Sequence, residues 1–416
     1  MSHSSADSVP AEGAIAFVSP RHGPGVVGGA EAVMAEAAAG LALRGHRVEI
    51  LTTCATDHFT WANAVPSGVE TIDHDVVVRR FPTSTDTSGV HRRRIGDRIL
   101  AGEQVDVADQ QLWMNDSLRV SDLWHHVLDH GRSYRALIFA PYMFWTTYAV
   151  GQIVPGKSII MPCLHDEPTA RLDIFAPLLE GARGIWFLTE PEADLGRRLF
   201  DLPKRQAVVG AGIEAPTNHE PERFRAEFGI KAPFLYYAGR REWGKGWHEL
   251  LAAFAELVTT HPTDLLLVTS GVGELDVPPE LSDRVVDAGF LSSSQRDNAM
   301  AAAVAYVQPS AMESFSRTVL EAMAAGTAVV ANGASDVVRH HIERSGAGLL
   351  YQGRAELVEA LRFVADEPRA VDNLAIPGRR YVADGFKWAD VLDRMEDTLD
   401  RWLPVPAPAT APSTAV

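Results

Sequence analysis

Residues Tyr237 to Gly246 read Tyr-Ala-Gly-Arg-Arg-Glu-Trp-Gly-Lys-Gly, which sets Arg240 and Lys245 five positions apart in a glycine-flanked loop. Placed after a strand, such a loop offers a diphosphate free backbone N–H groups, a helix dipole and two cations. Arg240 can grip phosphate oxygens bidentately, and Lys245 adds a point charge; both would stabilise a departing diphosphate. The plainer reading is a surface loop with solvated charges. Downstream, Glu313 and Glu321 stand eight apart within Pro309 to Gly326. In one continuous helix they would lie about 80° apart around the axis and about 12 Å apart along it. Both can then enter one cleft and meet different parts of an extended ligand, and carboxylates accept well from paired sugar hydroxyls. The plainer readings are a capping box, Ser310-x-x-Glu313, and an exposed helical position for Glu321.

Three further places carry chemistry. His165, in Pro-Cys-Leu-His-Asp-Glu-Pro at 162–168, follows a predicted strand and reads as a substrate contact, with Asp166 orienting its imidazole. Glu190, just after a second apolar run, is an acceptor-side candidate on position alone. Gly28 and Gly29 follow the first predicted strand, where small residues permit a tight turn or a close approach of backbone to phosphate. Asp73-His74-Asp75 is formally an Asp-x-Asp metal motif, yet it precedes a strand-like run and reads as a polar turn. Cys54 and Cys163 are far apart, giving no disulfide framework and no zinc site, as suits a reducing compartment.

The elements that must position these residues follow from periodicity. Buried strands are predicted at 14–18, 47–52, 136–139, 158–161 and 184–188, with a helix over 30–43 after the glycine pair. The alternation restarts with strands at 234–238, 265–269, 285–288, 305–308 and 328–331 and a helix over 247–258. Alternating strands and helices imply parallel sheets covered on both faces, with ligands at the carboxyl ends of the strands. With 416 residues the chain is long enough for two domains. The expected division is a disordered tail at 1–12, a first domain at 13–210 and a second at 211–385. A helix at 386–403 then packs back on the first domain, ahead of a disordered tail at 404–416.

Composition narrows the partners. Hydrophobic residues make up 46% and charged residues 22%, with a formal net charge of −16. That balance is globular and argues against nucleic acid as a partner. His91-Arg92-Arg93-Arg94, with Arg98, is a local exception that reads as a solvated loop, or as a docking patch for an acidic acceptor or lipid head group. No apolar run is long enough to span a membrane and the N-terminus is polar, so a cytoplasmic protein with room for peripheral membrane contact is expected. Oligomeric state is left open.

Gly-Arg-x4-Lys-Gly at 239–246 and Glu-x7-Glu at 313–321, in this order and separation, resemble glycosyltransferase family 4, retaining enzymes of the GT-B fold. The resemblance is sharp over 234–348 and looser across the first domain, where Gly28-Gly29-Ala30-Glu31 matches the family's glycine loop. It implies two Rossmann-like domains facing across a cleft, the first for the acceptor and the second for the nucleotide sugar. Carried over, Arg240, Lys245, Glu313 and His165 form the catalytic set. Gly28, Gly29, Arg240, Lys245 and the amides near Thr318 and Val319 would hold the diphosphate. His165, Glu313, Ser314, Phe315 and Ser316 would meet the sugar; Glu321, Phe290 and Leu291 the ribose and base; Asp166 and Glu190 the acceptor. A UDP- or GDP-linked donor and no metal or other cofactor are implied. Ser316 stands where the family commonly has glycine, and Asn332 to Asp336 replaces its usual Gly-Gly-x-x-Glu. The expected activity is retaining transfer of a hexose to an acceptor hydroxyl. A sugar-nucleotide epimerase or hydrolase of the same fold and a non-catalytic binding protein are its rivals; a dinucleotide oxidoreductase is disfavoured because no Gly-x-Gly-x-x-Gly follows the first strand.

Overall fold

The structure, a computed structural model, describes residues 9–26, 28–84, 88–215 and 218–404. Most of each expected tail, at 1–8 and 405–416, lies outside the described residues. Residues 9–12, assigned above to the tail, run onto the first sheet instead: the Ala11 amide donates to Glu49 Oε1 at 3.1 Å. The chain divides into two compact units, one of Met1–Leu188, Ala193–Val209 and Leu392–Val416, the other of Thr189–Glu192 and Gly210–Val391.

The first unit holds an eight-stranded sheet. Its strands are β1 (Ile15–Val18), β2 (Val48–Thr53), β3 (Gly68–Thr71), β4 (Val77–Phe81), β5 (Ala136–Phe139), β6 (Ser158–Ile160), β7 (Gly184–Phe187) and β8 (Gln206–Val208). Their order is β3-β4-β2-β1-β5-β6-β7-β8, and only β3 runs antiparallel. Every residue of β1, β2, β5, β6 and β7 is buried, as parallel strands covered on both faces require. Within β2, Glu49 is buried against Arg79 at 2.6 Å and accepts from Tyr134 Oη at 2.9 Å, so the charge is paired where it is dry. The C-terminal part of helix Trp388–Trp402 belongs to this unit: Arg135 meets Asp400 at 2.6 Å and Trp186 Nε1 donates to Thr398 at 2.9 Å.

The run at 91–94 is not a loop. It forms helix Val90–Leu100, which buries Ile95 and Ile99, with Arg92 lying 4.4 Å over the Trp113 ring and Arg98 paired to Glu103 and Asp109. Asp73–Asp75 is a short 3-10 turn between β3 and β4, and no cluster able to hold a metal occurs among the described residues. No helix among them is long and apolar enough to cross a membrane. Both cysteines are free and buried.

The second unit holds a six-stranded parallel sheet of β9 (Phe234–Ala238), β10 (Leu266–Ser270), β11 (Val285–Asp287), β12 (Ala305–Gln308), β13 (Val329–Asn332) and β14 (Gly348–Tyr351). The order is β11-β10-β9-β12-β13-β14, so the winding reverses between β9 and β12. At such a switch point the loops leaving two adjacent strands diverge to opposite faces and leave a crevice beyond their carboxyl ends. The loops that carry Arg240, Lys245 and Glu313 are the two that leave β9 and β12.

Candidate functional site

The β9 loop is shaped before its cations are placed. Tyr237 Oη donates to the Arg240 carbonyl at 2.7 Å, fixing the backbone just past the strand. Arg241 then turns inward: it is buried, ion-paired with Asp287, and donates to the Gly273 carbonyl at 2.9 Å. Arg240 stays partly exposed, 3.2 Å from Glu242. Of two adjacent arginines, one therefore builds the loop and the other stays partly exposed at its surface. Lys245 ends the 3-10 turn Trp243–Lys245, and Gly246, at φ 72, opens helix Trp247–Thr260. A Cβ on Gly246 would lie 2.6 Å from the Pro309 carbonyl oxygen, so only glycine lets the β9 loop come this close to the β12 loop. That approach brings Lys245 Nζ to 2.9 Å from Glu313 Oε1.

Glu313 lies in the β12 loop, not in a helix. Ser310 Oγ donates to the Met312 carbonyl at 3.1 Å, so the capping box expected as the plainer reading is not formed. Helix Arg317–Ala325 starts after Ser316, which adopts a left-handed conformation (φ 56, ψ 57) that a non-glycine residue holds only under strain. Its hydroxyl accepts from Gln308 Nε2 at 3.2 Å, which helps to hold it there. A glycine, which the resemblance implies at this position, would hold this conformation without strain. The Val319 amide donates to the Ser316 carbonyl at 3.1 Å, so of the two amides expected to face the phosphates this one is already engaged, while Thr318 Oγ1 accepts from Gln308 at 3.4 Å.

Glu321 departs from the exposed helical position of the plainer reading. It is 7% exposed, and Oε1 accepts from Arg296 Nη2 at 3.0 Å and Arg317 Nε at 2.8 Å, while the buried Oε2 has no partner. The Arg317 pair was legible as an i,i+4 spacing; Arg296, 25 residues away, was not. Asp297 beside them titrates at about 6, raised by burial and then by Glu321. Phe290 and Leu291 follow β11, the first 62% exposed and the second buried.

Glu190 belongs with the second unit, because the neighbouring Thr189 hydroxyl donates to the Ser314 carbonyl at 3.1 Å. Asn332 Nδ2 donates to the Pro309 carbonyl at 3.0 Å, so the unusual residue at this position holds the β12 loop. The sequence marked Asn332 only as a departure from the family pattern and gave no sign of Thr189.

In the first unit the structure places His165 after β6, with Nδ1 3.7 Å from Glu167 Oε1. Asp166 instead pairs with Arg171. The carboxylate facing the imidazole is Glu167, itself accepting from Tyr142 Oη at 3.0 Å; the assignment to Asp166 is corrected. Gly28 precedes helix Gly29–Leu43, and a Cβ there would lie 2.1 Å from Glu31 Oε2. Glu31 turns back over the helix start and pairs with buried Arg21 at 2.5 Å. A pocket beside it is lined by His22, Gly23, Pro24, Val26, Glu31 and Ala32. Burial and nearby Arg80 push His22 down to about 4.

Known proteins resemble this arrangement. Residues 219–380 match the family Glycosyl transferases group 1. A 2-deoxystreptamine glucosyltransferase of Streptomyces kanamyceticus is 30% identical over 50% of this chain and 58% of its own length. The chain spans 40% of the Mycobacterium tuberculosis glycogen synthase, at 31% identity over 38% of the chain. A D-inositol 3-phosphate glycosyltransferase of Catenulispora acidiphila is 27% identical over 90% of both chains. Among solved structures, sucrose-phosphate synthase from Thermosynechococcus elongatus superposes with a TM-score of 0.71 at 18% identity, covering 94% of this chain and 98% of that one. Anabaena HepE, in complex with UDP and glucose, gives 0.69 at 16% identity, covering 93% and 99%. The fold is GT-B, and together with the family match it supports a glycosyltransferase.

Proposed function

We propose that this protein is a retaining transferase of glycosyltransferase family 4 that moves a hexose from a UDP- or GDP-linked donor to an acceptor hydroxyl. The observation that carries the reading is the meeting of Lys245 and Glu313 at 2.9 Å beyond the carboxyl ends of two adjacent switch-point strands. An ammonium has three hydrogens, so Lys245 can keep Glu313 and still donate to a phosphate oxygen. Arg240, on the same loop, adds a second cation. As the sugar–phosphate bond loosens, these charges stabilise the leaving diphosphate in place before the reaction begins. Glu313 receives hydroxyls of the transferred sugar, and the turn at Thr318 offers its amide to the phosphates. Glu321 takes the ribose, with Phe290 and Leu291 beside the base. The acceptor hydroxyl attacks the face that the diphosphate leaves, and its proton passes to the departing phosphate oxygen, so no side-chain nucleophile and no metal is assigned.

The first unit receives the acceptor; its Gly28 and Gly29 are assigned to the donor diphosphate and its His165 to the transferred sugar. Asp166 and Glu190 are retained as acceptor-side residues. The two free cysteines suit a cytoplasmic setting, and the exposed His91, Arg93 and Arg94 leave room for peripheral contact with an anionic surface.

Calorimetry with UDP, GDP and ADP side by side identifies the nucleotide. Lys245→Ala and Glu313→Ala should each lower transfer at least about a hundredfold, the scale of losing one preorganised charge contact. Because the two residues touch, the double variant should lose much less than the product of the single losses. Near-wild-type turnover in either single variant refutes the assignment.

A further inference from the structure

The loop that carries Glu313 is held from beneath by a buried imidazole that the proposed reaction does not use. His341, on helix Asp336–Ser345, is 1% exposed. Its Nε2 lies 3.0 Å from the Phe315 carbonyl oxygen and its Nδ1 lies 2.9 Å from Tyr381 Oη. A carbonyl oxygen only accepts, so the ring hydrogen must sit on Nε2. In the neutral imidazole Nδ1 is then the acceptor and Tyr381 the donor, which fixes one tautomer. Burial holds His341 in the neutral form and pushes the Tyr381 hydroxyl up to about 12, so each keeps its role around neutral pH. Phe386 and Phe315 pack edge-on against the imidazole and fix the plane of the ring.

The connection runs between parts of the second unit that are far apart in sequence. Tyr381 belongs to helix Pro368–Gly385, which also packs against the back of helix Arg317–Ala325. There Arg379 donates to the Ala325 carbonyl at 2.7 Å, and a Cβ on Gly378 would stand 3.1 Å from Met323. The β12 loop has no regular structure of its own between Gln308 and Arg317, so the donor beneath Phe315 replaces a bond that a helix or strand would supply.

We propose that His341 is a positioning residue: by donating to the Phe315 carbonyl while accepting from Tyr381, it sets the loop that aims Glu313 at the donor sugar. This rests on the sugar-contact role proposed for Glu313. His341→Leu removes the donor, and His341→Gln restores an N–H at the distance of Nε2. Three measurements on the full-length protein test the proposal. Hydrogen exchange of amides 313–317 should rise about tenfold or more in the Leu variant and stay near wild type in the Gln variant. Turnover of UDP-glucose or GDP-mannose, whichever the wild type uses, should fall about 10- to 100-fold in kcat for Leu, with the affinity for UDP or GDP within about threefold. In a Glu313→Ala background the same Leu substitution should change kcat by less than about threefold, because its effect passes through Glu313.

Exchange unchanged by Leu, a Gln variant no better than Leu, or an undiminished loss in the Glu313→Ala background would each overturn the proposal. If the wild type bound no nucleoside diphosphate, the reading of the site would fall, while hydrogen exchange would still decide whether His341 holds the loop.

Discussion

Gly246→Ala is the substitution that most directly separates the geometry of the site from the stability of the fold. The added Cβ meets the Pro309 carbonyl oxygen at 2.6 Å and the Pro309 carbonyl carbon and Cβ at 2.8 Å, against an ordinary contact of 3.4 Å or more. All three atoms belong to a backbone-constrained proline, so the loops must part by about 0.8 Å. Added to the 2.9 Å between Lys245 and Glu313, that parting stretches them to about 3.7 Å and breaks their hydrogen bond. A shift approaching 1 Å at reacting groups costs on the order of a hundredfold in rate. The substitution also carries the left-handed strain of an alanine at φ 72, about 1–2 kcal/mol. Gly229→Ala supplies the control, because Gly229 has φ +66 in the same unit with nothing within 4 Å of its added Cβ. Both variants carry the strain of a left-handed alanine, and Gly246→Ala adds the cost of the clash, so its midpoint of urea unfolding should fall further than that of Gly229→Ala. Only Gly246→Ala should lose turnover, read as release of UDP or GDP from the sugar donor, by about 30- to 100-fold. If the two variants kept equal turnover per folded molecule, the close approach of the loops would have no part in the reaction.

Two further outcomes concern pH. Asp297 titrates at about 6 instead of 3.8, raised first by burial and then by Glu321, so the folded state binds its proton more tightly than the unfolded chain does. This lowers stability as pH rises from about 4 to 6, and Asp297→Asn should gain about 1 kcal/mol at pH 7.5 after discounting for its partial exposure, but nothing at pH 3.5, read by urea melts at both. His341 has the opposite sign: burial lowers it from 6.5 to about 4, so the unfolded chain takes up the proton first. Its contribution is complete above pH 6.5 and is lost toward pH 4, up to about 3 kcal/mol, and His341→Gln should show a flatter acid limb than wild type over that window.

Most of the architecture was legible because buried parallel strands announce themselves as short apolar runs; Ala136–Phe139, Phe234–Ala238 and Ala305–Gln308 fall where the runs do. The restart of the alternation after 221 likewise marked a second sheet. The misreading at 91–94 has a physical cause. Four consecutive polar residues hide the spacing of Ile95 and Ile99, and Arg92 is half-hidden by lying on a tryptophan that a sequence does not place nearby. Adjacent residues of like type were the other weak point. Sequence position could not say that Arg240 faces outward while Arg241 pairs with Asp287, or that Glu167 and not Asp166 faces His165. In each case the answer lies with a partner tens of residues away or with the rotation of one peptide.

The residues that sequence reading did find and those it did not differ in what they touch. On the proposed reading, Arg240, Lys245, Glu313 and Glu321 stand out because a diphosphate and a set of hydroxyls would demand particular charges, and such a demand leaves a recognisable spacing. The β12 loop is held in another way. Asn332 donates to the Pro309 carbonyl, Ser310 to that of Met312, Thr189 to that of Ser314 and the His341 imidazole to that of Phe315. A carbonyl oxygen accepts from amide, hydroxyl or imidazole alike, so no residue type is required and no motif results. Anchoring by carbonyls does not draw on the Glu313 carboxylate, which the proposed reading gives to the donor sugar. Were the backbone held instead through the Glu313 carboxylate, sugar binding would have to break that hold before it could form its own contacts. Because three of these anchors reach the loop from a strand end, a helix start and the buried face of a separate helix, losing one should loosen the peptide it serves without releasing the others. The consequence is a site whose precision is set locally, peptide by peptide, although its four charged residues read from the sequence as a single unit.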